Sequence, residues 1–144
     1  MGLTKSGASG IYTAILQNKY VGLLKAAPTS EIEYIEPSAD EYERVTLSDV
    51  LNAPTPISGG TDGYLVDNSR IIYFPEAITQ DGWGLITHFG IFSNKTGVGT
   101  PTSPTLLVWG TLSGGGVSVP QNTVPLFRPN QLMVTLQSTN SAAQ

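Results

Sequence analysis

One histidine, no cysteine and eleven carboxylates are the side chains of this sequence best suited to neutral-pH proton transfer, thiolate chemistry and metal binding. General acid–base catalysis needs a titrating group within hydrogen-bond reach of a partner. His88 lies in the apolar run Thr87-His88-Phe89, with no acid or nucleophile beside it in sequence, and is read as a structural residue with a hydrogen-bonded ring. No G-x-S-x-G elbow occurs for a serine nucleophile, and no H-E-x-x-H or Cys/His cluster for zinc. Both phosphate-cradling glycine patterns are absent. Lys95-Thr96-Gly97 matches one fragment of the penicillin-binding signature without its partners, and Asn94-Lys95-Thr96 is a formal glycosylation sequon. The chain is therefore read as non-enzymatic, with no catalytic residue, no cofactor and no metal.

The acids are bunched. Seven of the eleven lie between Glu31 and Asp49: Glu31, Glu33, Glu36, Asp40, Glu41, Glu43 and Asp49. A calcium loop needs six to eight converging oxygens, commonly spaced D-x-[DN]-x-[DN]-G, and that spacing is missing here. The segment is read as a solvated loop whose neutralisation changes stability little, with a cation or basic-partner site as the alternative. Glycoside cleavage needs two carboxylates facing one groove, and the chain beyond Asp81 has none. Trp83, Trp109, Tyr64 and Tyr73 are the aromatic residues available to stack on a sugar if they are exposed, and core packing is their other use.

These side chains must be positioned by strands. Residues 84–92, 105–112, 117–120, 123–127 and 131–137 are short apolar runs separated by Gly, Pro, Ser and Asn, the cadence of an antiparallel β-sandwich or barrel. Earlier, residues 20–26, 42–47 and 70–74 read as strands. Residues 9–17 read as one short helix capped by Ser9, with Ile11, Ile15 and Leu16 on one face. Residues 52–63, with two prolines and three glycines, read as a loop, and so does the segment 93–105. The expectation is an all-β antiparallel β-sandwich of about seven or eight strands plus that N-terminal helix. It forms a single domain over residues 1–137, followed by a flexible polar tail at 138–144.

Charge separates the two halves. The net charge is −4, yet residues 96–127 contain no charged side chain. No basic stripe is present, which argues against nucleic acid. No segment approaches the ~18–20 apolar residues of a membrane span, and the N-terminus lacks an uninterrupted signal-like run. The chain is read as soluble and made in the cytoplasm of its host. Pleating places apolar residues on both faces of 84–92 and of 105–112. A monomer of this size hides one face of a strand in its core, so the other is expected to meet a partner subunit. A surface so poor in charge is also poorly guarded against association. Trp83, His88, Phe92, Trp109 and Phe127 are the residues assigned to interaction.

The order of motifs carries a resemblance. Tyr20-Val21-Gly22-Leu23-Leu24, then Tyr42-x-Arg44-Val45, Phe74-Pro75-x-Ala77, Trp83-Gly84-Leu85-Ile86-Thr87-His88-Phe89-Gly90-Ile91-Phe92 and a closing Phe127…Leu132-x-Val134-Thr135 resemble the small tail-fibre or minor-tail structural proteins of tailed bacteriophages. The likeness spans roughly residues 10–136, and the Trp83–Phe92 run is its most specific part. The chain departs from the pattern in its longer acidic insert before Tyr42 and in its extension at 97–104. The resemblance implies a virion structural protein with no catalytic or cofactor residues. Its expected partners are itself, as a homotrimer, and other virion proteins of tail, collar, baseplate or capsid. A capsid decoration protein, or a carbohydrate- or receptor-binding module recognising a host surface glycan, is the alternative.

Overall fold

The computed structural model describes residues 3–57, 63–96 and 105–137. The extension at 97–104 and the polar tail at 138–144 lie outside them. One helix, α1 (Lys5–Ile15), precedes eleven short strands. These are β1 (Tyr20–Leu24), β2 (Val45–Thr46), β3 (Thr55–Pro56), β4 (Gly63–Asp67), β5 (Ile72–Tyr73), β6 (Gly84–Ile86), β7 (His88–Phe92), β8 (Leu106–Thr111), β9 (Val117–Val119), β10 (Leu126–Phe127) and β11 (Met133–Gln137). All pairings are antiparallel, in sheets ordered β2-β1-β7-β8 and β11-β4-β3 and ribbons β10-β5 and β6-β9. The all-β antiparallel architecture with one N-terminal helix is thus the one expected from sequence.

The helix begins earlier than Ser9. Thr4 is its N-cap, in extended conformation, and Thr4 Oγ1 accepts a hydrogen bond from the Gly7 amide at 3.0 Å. An N-cap side chain satisfies one of the otherwise orphaned amides of the first turn. Gly7 and Gly10 within the helix each lower its intrinsic stability by roughly 1 kcal/mol relative to alanine. Tertiary packing holds it instead, through fully buried Ala8 and, at its end, Leu16. Asn18 at φ 58° then turns the chain into β1.

The strand expected over 84–92 is two strands in two sheets. Ile86 ends β6, which among the described residues pairs only with β9; His88 starts β7, which lies between β1 and β8. Thr87 makes the corner, its amide donating to the Leu24 carbonyl at 3.0 Å and its carbonyl accepting from Leu112 at 2.9 Å. Gly114, Gly115 and Gly116, at φ 74°, 81° and 109°, carry the chain from β8 round to β9. Glycine adopts this left-handed backbone without penalty. Of the expected strand at 42–47 only Val45–Thr46 pairs, and the presumed loop at 52–63 contains β3. Pro56 fits there because β3 is an edge strand, where a missing amide breaks no ladder bond.

The inner faces share one core. Val21, Leu23, Phe89 and Ile91 from the four-stranded sheet meet Val66, Val134 and Leu136 from the three-stranded sheet, with Phe74, Trp83 and Phe127 between. Leu132, Val134 and Leu136 form the inward row read from sequence. The second face of β7 does not wait for a partner. Phe92 is fully buried within the chain against Leu24, Tyr34 and Leu106. The lid is the acidic segment itself, folded back so that the Lys25 amide donates to the Ile35 carbonyl at 2.9 Å. Gly22 and Gly90, paired across β1 and β7, make room for it. A Cβ on Gly22 would stand 2.8 Å from the Tyr42 hydroxyl and 2.9 Å from Glu36 Oε2.

Candidate interaction surface and the ion pair behind it

Arg44 and Glu36 anchor the lid. Arg44 Nη2 and Glu36 Oε1 are 2.7 Å apart, both side chains are inaccessible to solvent, and Arg44 Nε donates to Oε2 at 3.1 Å. Nη1 donates to the carbonyls of Asn94 (2.9 Å) and Thr96 (3.0 Å), and Nη2 to the Tyr34 hydroxyl (3.3 Å). The guanidinium also lies 3.7 Å above the centre of the Phe92 ring. Every face of the cation is therefore engaged, which is what a buried charge requires. The Tyr42 hydroxyl donates to Glu36 at 2.7 Å and accepts from the Leu23 amide at 2.8 Å. Burial, and then the adjacent Glu36 charge, push the Tyr42 phenol well above its ordinary pKa. The Tyr42-x-Arg44 pattern is thus the spacing of a two-residue clamp on one carboxylate.

Glu41 holds a second junction. Its carboxylate accepts from the Ile78 and Thr79 amides, from the Thr79 hydroxyl, and from Trp83 Nε1 at 2.7 Å. The Thr79 hydroxyl bond, then the Trp83 and Thr79 amide bonds, outweigh desolvation and hold its pKa at about 2, against an ordinary 4.5. Glu31, Glu33, Asp40, Glu43 and Asp49 are exposed, as a solvated run requires, with Glu33 accepting from the Thr29 hydroxyl at 3.3 Å and Glu43 facing Lys95 at 3.8 Å. That reading fails for Glu36 and Glu41, which are structural ties. Because the Glu41 pKa is depressed on folding, its stabilisation is present above the ordinary carboxylate range and disappears as pH falls towards 2. Glu41→Gln is expected to lower the melting temperature at pH 7, with the gap to wild type closing between about pH 5 and pH 2. Thermal melts across that range check it, and a gap independent of pH would contradict the assignment.

The five residues assigned to interaction divide. Trp83, Phe92 and Phe127 are buried in the core. His88 and Trp109 reach the surface together, ring centroids 5.6 Å apart, on the outer face of β7 and β8. His88 Nδ1 is 2.7 Å from the Thr87 hydroxyl, so the ring is hydrogen-bonded. Trp109 is 47% exposed, and Leu107, at the bulge two residues earlier in the strand, 39%. Of the aromatic residues available for stacking, Tyr73 is also exposed, in β5. Among the described residues no group of three His, Cys, Asp or Glu side chains converges on a metal position, and no helix is long and apolar enough to cross a membrane. Sequence reasoning missed Glu36, Glu41 and Arg44 as structural residues. The signal was there in the single arginine within the acidic run, between Glu43 and Val45.

The described residues thus form a small all-β protein with ionic ties inside and an exposed aromatic pair on one sheet. The model of the podophage GP4 fiber I protein gp80 family matches residues 7–135, and the chain belongs to that family. It is a fibre-type structural protein of a tailed phage, a component of the virion assembled in the host. No curated protein and no solved structure matches it.

Proposed function

We propose that this chain is a non-catalytic fibre subunit that joins copies of itself, as a homotrimer, and neighbouring tail proteins through its uncharged half. The observation that carries this is the outer face of β8. Trp109 stands exposed there, with Leu107 exposed at the bulge beside it, within a stretch, residues 96–127, that has no charged side chain. Exposed apolar surface without flanking charge favours burial against a partner. Light scattering coupled to size-exclusion chromatography, over a dilution series of the purified full chain, is the test. A trimer mass that persists on dilution is expected, and a monomer at every concentration overturns self-association. The Trp109–His88 pair also favours a second reading, contact with a host surface glycan, because a half-exposed indole beside a polar ring is a stacking platform for a sugar. Glycan-array binding lost in Trp109→Ala, with folding and oligomeric state unchanged, would select that reading.

A further inference from the structure

We infer that the subunits join by strand addition, the free edge of β8 in one copy receiving the free edge of β11 from the next. This rests on the self-association reading above and specifies its contact. β8 is six residues long and, among the described residues, ends its sheet and pairs only with β7. The Leu112 amide donates to the Thr87 carbonyl, so by the alternation of an antiparallel ladder residues 110 and 108 also face β7. The amides and carbonyls of Trp109 and Thr111 then point away from the sheet.

Native proteins guard such edges with charge, proline or very short strands. The opposite edge of this sheet, β2, has two residues, and β3 has two, one of them Pro56. β8 has no charge and no proline, and its one irregularity is a bulge at Leu107, opposite Ile91 and Phe92, near its start. The other long edge among the described residues is β11: five residues, uncharged, terminal in its sheet, and paired there only with β4.

Charge and symmetry name the occupant. A chain of net charge −4 repels its own copies where the acids lie, whereas the sequences of both β8 and β11 are free of charge. Like charges would therefore not oppose the approach of one copy's β8 to another's β11. Pairing β8 with a second β8 is isologous and closes at two subunits. A ring of three needs a different strand on the partner, and β11 is the free edge of comparable length among the described residues. Exposed Trp109 on one strand and exposed Met133 on the other would be covered in the same step.

The chain has no cysteine, so engineered thiols report the contact directly. Neighbouring strands bring opposed Cβ atoms within disulfide range. Mild oxidation of the full chain carrying Trp109→Cys and Thr135→Cys, or Trp109→Cys and Met133→Cys, is expected to give covalent species of up to three subunits. Each single variant is expected to give none. Covalent dimers from Trp109→Cys alone would overturn the proposal in favour of β8 self-pairing. A second variant, Trp109→Pro, removes an outward amide and leaves the β7 bonds of residues 108 and 110 in place; proline is tolerated on edges. It is expected to be a folded monomer by circular dichroism and light scattering, and a folded trimer would overturn the proposal. If neither double variant cross-links while the wild type remains trimeric, strand addition fails and the self-association reading stands. If the wild type is monomeric, that reading fails first.

Discussion

Arg44→Ala is expected to lower stability by about 3–5 kcal/mol, the usual effect of removing one partner of a buried ion pair. The Glu36 carboxylate would stay inside the lid without its cation, and the carbonyls of Asn94 and Thr96 would lose their donor. For a domain of this size that corresponds to a fall in melting temperature of roughly 10 °C or more. The charge itself is not what folding requires. Replacing both partners, as in Glu36→Leu with Arg44→Met, removes the desolvation problem along with the attraction, and such swaps can be neutral. The double variant is therefore expected to be more stable than Arg44→Ala, an interaction energy that a double-mutant cycle in urea measures. A double variant whose loss equals the sum of the single losses would show that Glu36 and Arg44 act independently.

Asn68→Ala is the second large effect. This fully buried amide joins the β4–β5 connection to the approach to β11. Its Nδ2 lies within hydrogen-bond distance of the carbonyls of Arg70 (2.8 Å), Phe127 (3.4 Å) and Arg128 (2.8 Å), while Oδ1 accepts from the Leu132 amide at 2.9 Å. Alanine leaves the Leu132 amide and those carbonyls without that partner, and each buried polar group so stranded costs about 1–3 kcal/mol. A total loss of about 3 kcal/mol or more is expected on that scale. Amide hydrogen exchange adds a local signature: Leu132 should lose protection well beyond the global change. Unchanged protection at Leu132 would place the tie elsewhere.

What the sequence made legible was what has a period. Alternation in 131–137 placed Leu132, Val134 and Leu136 inward, where they are buried, and the apolar punctuated runs named the fold class. Corners were not legible. Thr87 breaks 84–92 into two sheets although its residue type is at home in a strand, because the break is set by Leu24 and Leu112 from distant parts of the chain. The helix start was read one turn too late, at Ser9: Thr4 is the cap, and the turn it adds carries buried Ala8. Exposure was half legible among the five residues assigned to interaction. Trp109 and His88 are together and outward, but Phe92, on the same strand face as His88, is covered by a lid that composition alone described as solvent-exposed. A run of acids looks the same in sequence whether its carboxylates meet water or, like Glu36, an arginine.

Mass spectrometry of purified particles, quantified against the major capsid protein, tests the central claim most directly. A fibre subunit that trimerises is expected in the particle at a low copy number, a multiple of three, and lost with the tail when tails and capsids are separated. Absence from the particle, or retention with the capsid in numbers comparable to the capsid protein itself, would contradict it.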